Sequence, residues 1–134
     1  MVTNKRIVMD EKIGGLALII TSVVILSSTQ ILIKSRLNVH GIFPLDGGAF
    51  SYLIEVCSDW RLWMAALGLI AASLCWYAAI SRLPLSVAFP FAAMSYPAVL
   101  LGSALFLNEF ISWKIVVGNA LIVLGIFMVA MATR

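Results

Sequence analysis

Charged residues are scarce in this chain. Only 11% of its 134 residues are Asp, Glu, Lys or Arg, whereas 63% are hydrophobic. A soluble domain carries roughly 25% charged residues, so the excess apolar surface needs a bilayer to cover it. Each spanning helix takes about 20 residues, and four such helices with their connections account for the length of the chain. We therefore expect one membrane domain, residues 1–134, and no soluble domain.

Groups that perform catalysis or bind metals are also rare. His40 is the only histidine, and neither a Ser-His-Asp arrangement nor a glycine-rich phosphate loop accompanies it. Cys57 and Cys75 are the only thiols and have no cluster of His or carboxylate residues beside them. The chain is therefore predicted not to be an enzyme and to hold no metal or other cofactor. The net charge is only +3 and no run of basic residues occurs, so no nucleic-acid-binding surface is predicted.

Four apolar segments predict an all-α membrane protein with short connections and one longer loop between helices 1 and 2. The predicted helices cover about 13–34, 60–81, 84–107 and 112–132. The first apolar run is too long for a signal peptide and lacks a cleavage motif, so we expect it to be retained. Residues 37–58 form the predicted loop, broken by Pro44 and three glycines, in which 50–56 suit a short interfacial helix.

The third span has no charged residue from 83 to 107 yet contains three prolines. Pro90 and Pro97 each remove a backbone donor, and the freed carbonyls need a neighbouring helix or a wet cavity. Ser95 and Tyr96 lie halfway along the same span. A bent helix with a polar middle is typical of a transporter helix beside a binding cavity. A lipid-packed helix that tolerates its prolines is the alternative.

Small residues predict where helices approach closely. They recur in the second span at Ala65, Gly68, Ala72 and Ala79, and in the fourth at Gly118 and Gly125. We interpret the fourth helix as a subunit contact, with packing inside one bundle as the alternative. Four helices enclose little space, so the chain is expected to act as a dimer with an identical or similar chain.

Positive charge hardly distinguishes the two membrane sides. One side would carry five basic residues and the other four: Lys5, Arg6, Lys12, Arg82 and Arg134 against Lys34, Arg36, Arg61 and Lys114. Basic residues normally mark the cytoplasmic side, so this near balance leaves the orientation open. It is also compatible with two copies that insert in opposite senses.

Parts of the chain resemble a known family. These are LPLSVAFP at 83–90, MSY at 94–96, LNE at 107–109 and GNALIVLG at 118–125. They are similar to the drug/metabolite transporter superfamily, in its small four-helix branch (EamA-like or small multidrug resistance-like). Two features most resemble the small subunits of the aminoarabinose-phosphoundecaprenol flippase. They are residues 73–97 and Gln30, which is followed four residues later by Lys34. The likeness covers the four helices but not the 37–58 loop.

This resemblance implies a transporter, or a subunit of one, in the bacterial inner membrane. Its substrate would be a polyprenyl-phosphate-linked sugar or a similar anionic lipid-linked molecule. The related small multidrug resistance exporters carry an essential acid inside helix 1, whereas this chain has no acid between Glu11 and Asp46 and has Leu26 at the matching place. That counts against the first alternative, an exporter of small organic cations. A non-transporting scaffold subunit is the second alternative.

Eight residues are the candidate substrate-binding set under this hypothesis. Cations suit the phosphate, polar side chains suit a groove for the sugar, and aromatic rings stack on a sugar face. They are Lys34, Arg36 and Arg61; Gln30, Ser95 and Tyr96; and Trp76 and Tyr77. Gln30 should face the bundle or a cavity, because its amide has four hydrogen-bonding positions to satisfy. Interfacial anchoring is the alternative role for the cations and the rings.

Overall fold

The computed structural model describes residues 2–45 and 47–132, with their side chains from Met9 onward. Within them lie six helices: α1 (Val2–His40), α2 (Ala49–Ser58), α3 (Trp60–Ile80), α4 (Leu85–Ala92), α5 (Ser95–Phe106) and α6 (Trp113–Ala132). No strand occurs in this described part, which confirms the all-α prediction. Four helical segments are long and apolar enough to cross a membrane: Met9–His40, Trp60–Ile80, Leu85–Phe106 and Trp113–Ala132.

The first helix extends beyond its predicted bounds, and the long loop predicted over 37–58 is not confirmed. α1 continues to His40, and α2 occupies Ala49–Ser58, so the connection between these two helices is limited to residues 41–48. The last turns of α1 persist because Arg36 and His40 both bond to Asp59 at the start of α3. Gly41 then ends the helix with a φ of 84°, a left-handed conformation that glycine adopts without strain.

The third span is two helices rather than the single one predicted over 84–107. α4 ends at Ala92 and α5 begins at Ser95, with a turn at Ala93 and Met94 between them. In that turn, the Ala93 N–H donates to the carbonyls of Phe89 and Pro90 at 3.1 and 3.2 Å. Pro97 lies in the first turn of α5, where backbone N–H groups lack a partner within the helix, so its missing donor costs little.

α1 is the centre of the bundle, since it packs against α2, α3, α4 and α5. Its closest partner is α3, whose buried residues are Ala65, Ala72 and Ala79. The Thr29 side chain of α1 lies directly against Gly68 of α3. α6 packs on the outside of α4 and α5, and Ile126 is its one buried residue among those described.

Candidate functional site

A cavity of about 310 Å³ lies roughly halfway along the bundle, between α1, α3 and the α4–α5 span. Its walls are Ser22, Val23 and Leu26 from α1, Ala72, Ser73, Trp76 and Tyr77 from α3, Phe89 and Ala92 from α4, and Ser95 from α5. Three predicted site residues, Trp76, Tyr77 and Ser95, therefore come together here. The break between α4 and α5 places Ser95 at the cavity wall.

Aromatic rings form one side of this cavity. Trp76 packs edge-on against Phe89, with ring centroids 5.4 Å apart and planes at 76°. The same indole packs on the buried core around Ile19 and Ala79, which fixes its position. Tyr77 follows it on α3 and is 66% exposed. The cavity thus has one rigid ring and one ring with room to move.

Hydroxyl groups supply the polarity of the cavity. Ser22 donates to the carbonyl of Ala72 at 2.8 Å, and Ser73 donates to the carbonyl of Leu69 at 2.9 Å. Both hydroxyl oxygens still have lone pairs that accept hydrogen bonds. The Ser95 hydroxyl and the Trp76 indole N–H make no hydrogen bond to any described residue, so both donors are free for a ligand. No charged side chain is among the described residues that line the cavity.

An ionic cluster closes one end of the α1–α3 pair. The Arg36 Nε lies 2.6 Å from Asp59 Oδ2, and His40 Nε2 lies 3.2 Å from the same oxygen. The Arg61 backbone N–H donates to Asp59 Oδ1 at 3.0 Å, which makes Asp59 the N-cap of α3. The hydrogen bond from Arg36 is the main cause that lowers the pKa of Asp59 from 3.8 to about 2, and the bonds from Arg61 and His40 add to it.

An open depression of about 450 Å³ lies beside this cluster and brings Arg36 and Arg61 together. Arg36 is already paired with Asp59, whereas the Arg61 guanidinium lies 6.0 Å from the centre of the Trp60 ring and forms no ion pair with a described residue. The sequence analysis did not predict the ion pair of Asp59. The available signal for it was the spacing of Arg36 and His40, which are four residues apart and therefore lie on one face of α1.

Gln30, Lys34 and Tyr96 line neither the cavity nor the depression. Tyr96 is 63% exposed, and the Gln30 and Lys34 side chains are exposed as well. Gln30 therefore does not lie inside the bundle of its own chain, because its neighbours Thr29 and Ile31 take the contacts with α3 and α5. Residues four apart on a helix share a face, so Gln30 and Lys34 continue the line of the cavity residue Leu26 towards the Arg36 end.

The predicted subunit face on α6 is open. A methyl group added at Gly118 or Gly125 would meet no atom within 4 Å. Both glycines are exposed, and they lie on one side of α6 because they are seven residues apart. Nothing in the described part of the chain covers this side.

Comparison with curated proteins gives three matches named as flippase subunits. The chain is 35% identical over 122 residues to the probable 4-amino-4-deoxy-L-arabinose-phosphoundecaprenol flippase subunit ArnF of Erwinia tasmaniensis, covering 86% of this chain and 93% of the relative. It is 34% identical over 127 residues to the ArnF subunit of Shewanella sediminis, covering 87% and 88%. The probable ArnE subunit of Aeromonas salmonicida is 35% identical over 81 residues, covering 56% and 71%. No family model and no solved structure matches.

Proposed function

Because this chain belongs to the family of aminoarabinose-phosphoundecaprenol flippase subunits, we propose that it is one subunit of a translocator for a polyprenyl-phosphate-linked sugar. The family and the four apolar spans make it a multi-pass protein of the bacterial inner membrane. The observation that carries the proposal is the uncharged cavity halfway along the bundle, with the ring of Trp76 and the hydroxyl of Ser95 at its wall. A polar headgroup that crosses a bilayer needs a polar cavity of this kind between the two membrane faces.

The cavity suits a sugar better than it suits a bare ion. The flat faces of Trp76 and Tyr77 offer an apolar surface to the carbon face of a sugar ring, while their polar edges reach its hydroxyls. The free donors of Ser95 and Trp76 and the acceptor lone pairs of Ser22 and Ser73 match hydroxyl groups. The relatives are named for an amino sugar, and an ammonium group over an aromatic face gains a cation–π attraction without any acid.

The phosphate of such a substrate fits the line from Gln30 to Lys34 on α1. Lys34 is eight residues beyond the cavity residue Leu26, or about 12 Å along the helix at 1.5 Å per residue. It forms no ion pair with any described residue, and neither does Arg61, so both charges are available to a phosphate. Arg36 lies at the same end of α1 as Lys34, but its guanidinium is already held in an ion pair by Asp59. Its role therefore differs from that of the two unpaired cations.

A second small subunit completes the proposal. The exposed side of α6 that carries Gly118 and Gly125 allows another helix to approach closely. The relatives are named as subunits, in two kinds, ArnE and ArnF. We propose that an identical or similar chain covers this side, and that Gln30 and Tyr96, exposed on one chain, become polar contacts or groove residues in the pair.

The test is equilibrium binding of two lipids to the purified chain in phosphatidylcholine nanodiscs. One lipid is undecaprenyl phosphate that carries aminoarabinose, and the other is undecaprenyl phosphate alone. We expect Trp76→Ala to remove most of the preference for the sugar-bearing lipid, and Lys34→Ala to weaken binding of both lipids about tenfold. Trp113→Ala and Lys114→Ala are the matched controls. A chain with no preference for the sugar, or an unchanged preference in Trp76→Ala, would refute the sugar site.

A further inference from the structure

His40 lies at the end of α1 between two carboxylates that belong to different parts of the chain. Its Nε2 is 3.2 Å from Asp59 Oδ2, at the start of α3, and its Nδ1 is 3.9 Å from Glu55 Oε1 of α2. The imidazole is only 10% exposed, whereas the Glu55 side chain is 67% exposed. The ring of His40 therefore faces one carboxylate that is fixed and one that has room to move.

The hydrogen bonds of Asp59 decide which nitrogen of His40 carries a hydrogen. Asp59 Oδ2 also accepts a hydrogen bond from Arg36 Nε at 2.6 Å, and an ionised carboxylate only accepts hydrogen bonds. Nε2 of His40 must therefore donate to it. In a neutral imidazole the other nitrogen, Nδ1, then has a lone pair and no hydrogen. Because that lone pair faces an oxygen of Glu55, the neutral ring offers Glu55 no hydrogen bond.

A second proton, on Nδ1, reverses the relation between His40 and Glu55. The ring becomes a cation that donates from both nitrogens, and closing the gap of 3.9 Å to hydrogen-bond distance takes a movement of about 1 Å. The end of α1 favours the same charge, because the free carbonyls of a helix C-terminus carry partial negative charge. Two guanidinium groups line the same depression and oppose it, those of Arg36 and Arg61, but Arg36 is already paired with Asp59.

α2 is held more firmly at one end than at the other. Next to α3, the Trp63 indole donates to the Cys57 carbonyl at 2.8 Å. Towards the beginning of α2, the Tyr52 hydroxyl donates to the Gly41 carbonyl at 3.3 Å, which is a long hydrogen bond in an exposed position. Glu55 lies between these two contacts, so a bond from His40 to Glu55 would add a third.

Movement of α2 away from the bundle costs little packing. None of its residues is buried. At least half of the surface of its large apolar side chains is already exposed at Phe50, Leu53 and Ile54. Such side chains suit the boundary between the headgroups and the acyl chains of a bilayer. Two positions of α2 that differ little in free energy can be shifted by a single charged hydrogen bond.

We propose that His40 is a proton-dependent latch for α2. With a proton on both ring nitrogens, His40 binds Asp59 and Glu55 together and holds α2 against the ends of α1 and α3. When Nδ1 releases its proton to water, its lone pair repels the Glu55 carboxylate, and the first turns of α2 move away. The inference concerns the conformation of the chain and does not depend on the identity of a substrate.

The latch sets how open the depression at this end of the bundle is. Glu55 and Ser58 of α2 form one side of it, and Arg61 of α3 lies on another, so movement of α2 widens it. Histidine is the side chain whose charge ordinarily changes between pH 5 and 8, whereas carboxylates ordinarily keep theirs over that range. Because the attached state binds one more proton, its share rises as the pH falls. We therefore expect α2 to be attached at pH 5 and released at pH 8.

The test measures the position of α2 in the full chain, with one chain in each phosphatidylcholine nanodisc. Nitroxide labels on Ser51→Cys of α2 and Leu105→Cys of α5 report their separation by double electron–electron resonance, in a background with Cys57→Ser and Cys75→Ala. A helix of ten residues is about 15 Å long, so a tilt of about 20° moves its free end by about 5 Å. We expect one narrow distance distribution at pH 5, and at pH 8 a broader one shifted by about that amount.

The protonation of the latch is measured in the same nanodiscs. His40 is the only histidine of the chain, so the ¹⁵N signals of its imidazole in nuclear magnetic resonance spectra are unambiguous. We expect the midpoint of their titration to coincide with the midpoint of the α2 movement. A separation of the labels that stays constant while the His40 signals titrate would overturn the proposal, and so would a His40 ring that does not titrate between pH 5 and 8.

Three variants show whether the movement depends on this pair of residues. Glu55→Ala should give the released distribution at both pH values, and His40→Gln should give one distribution that does not change with pH. Glu109→Gln, which neutralises an exposed acid elsewhere, is the matched control and should keep the full pH response. A pH response that survives in Glu55→Ala would contradict the latch. Because Glu55 is largely exposed, that variant decides the question even if His40→Gln does not fold.

Discussion

The α1–α3 interface and the outer side of α6 both contain small residues at helical spacing, but their surroundings differ. In α3, Ala65, Ala72 and Ala79 are buried, and Gly68 lies beneath Thr29 of α1. In α6, Gly118 and Gly125 face open space. The same pattern is therefore completed within the chain in one place and left open in the other. Small residues at this spacing indicate that a helix can be approached closely, and the rest of the fold decides what approaches it.

The two regions also differ in their polar contacts. The α1–α3 interface contains a buried hydrogen bond from Ser22 to the Ala72 carbonyl, and Asp59 ties its end to Arg36 and His40. No comparable bond joins the Gly118–Gly125 side of α6 to another helix among the described residues. We therefore expect substitutions in the first region to change the stability of one chain, and substitutions on α6 to change association between chains.

The largest expected effect is that of Gly68→Leu. The new side chain has no room against Thr29, so overpacking should destabilise the isolated chain by about 3 kcal/mol. The free energy of unfolding in mixed detergent micelles measures this. Gly125→Leu is the matched control, with no change expected, because nothing lies within 4 Å of an added methyl group there. Equal losses in the two variants would remove the distinction between the regions.

Gly118→Leu should produce the next largest effect, on association rather than on folding. A bulky side chain would keep a second helix from close approach, and we expect dimer affinity to fall about tenfold, or ~1.4 kcal/mol. Cross-linking in liposomes over a range of protein-to-lipid ratios measures it. Ala120→Leu, the same kind of change on a different side of α6, should leave the dimer yield unchanged. Wild-type dimer yield in Gly118→Leu would exclude this side of α6 as the contact.

The Asp59 ion pair should add a pH dependence to the α1–α3 region. Because the pKa of Asp59 is lowered from 3.8 to about 2 in the folded chain, its contribution is fully present above pH 3.8 and is lost as pH falls towards 2. Thermal unfolding should therefore separate the wild type from Asp59→Asn above pH 4 and bring them together near pH 2. Glu109→Gln, which alters an unpaired exposed acid, is the control. A constant difference across that pH range would contradict the assignment.

The smallest expected effect is that of Ser22→Ala. Hydrogen bonds between membrane helices contribute on average about 0.6 kcal/mol, and this substitution removes one of them. The measurement is again the free energy of unfolding in mixed micelles. Ser28→Ala, on an exposed part of the same helix, should have no effect. A loss above that for Gly68→Leu would mean that polar bonding, not close packing, dominates the interface.

The sequence predicted the spans well and the site only in part. Apolar runs of about 20 residues follow directly from the thickness of the bilayer, so four spans were evident. The extension of α1 to His40 was not evident from the sequence. It depends on bonds from Arg36 and His40 to Asp59, which lies 19 residues beyond His40. Prolines in the third span signalled a bend, but the division into α4 and α5 depends on how the Ala93 turn packs.

The cavity itself needed the tertiary structure. Trp76, Tyr77 and Ser95 were chosen from residue type and depth in the membrane, and they do line one cavity. Gln30 and Tyr96 were chosen in the same way and are exposed on the single chain. Depth can be read from sequence position, whereas the direction of a side chain around a helix depends on where the neighbouring helices pack. Ser22 and Ser73, which also line the cavity, lay in the predicted spans without any pattern that distinguished them.

The most direct test of the central claim is mass spectrometry of the lipids that copurify with the chain from its native membrane. If the cavity at Trp76 holds the sugar, wild-type protein should carry a phosphopolyprenyl sugar. Trp76→Ala should carry at least tenfold less, and Trp113→Ala should match the wild type. Equal amounts of the lipid-linked sugar with wild type and Trp76→Ala, or an organic cation in its place, would contradict the account.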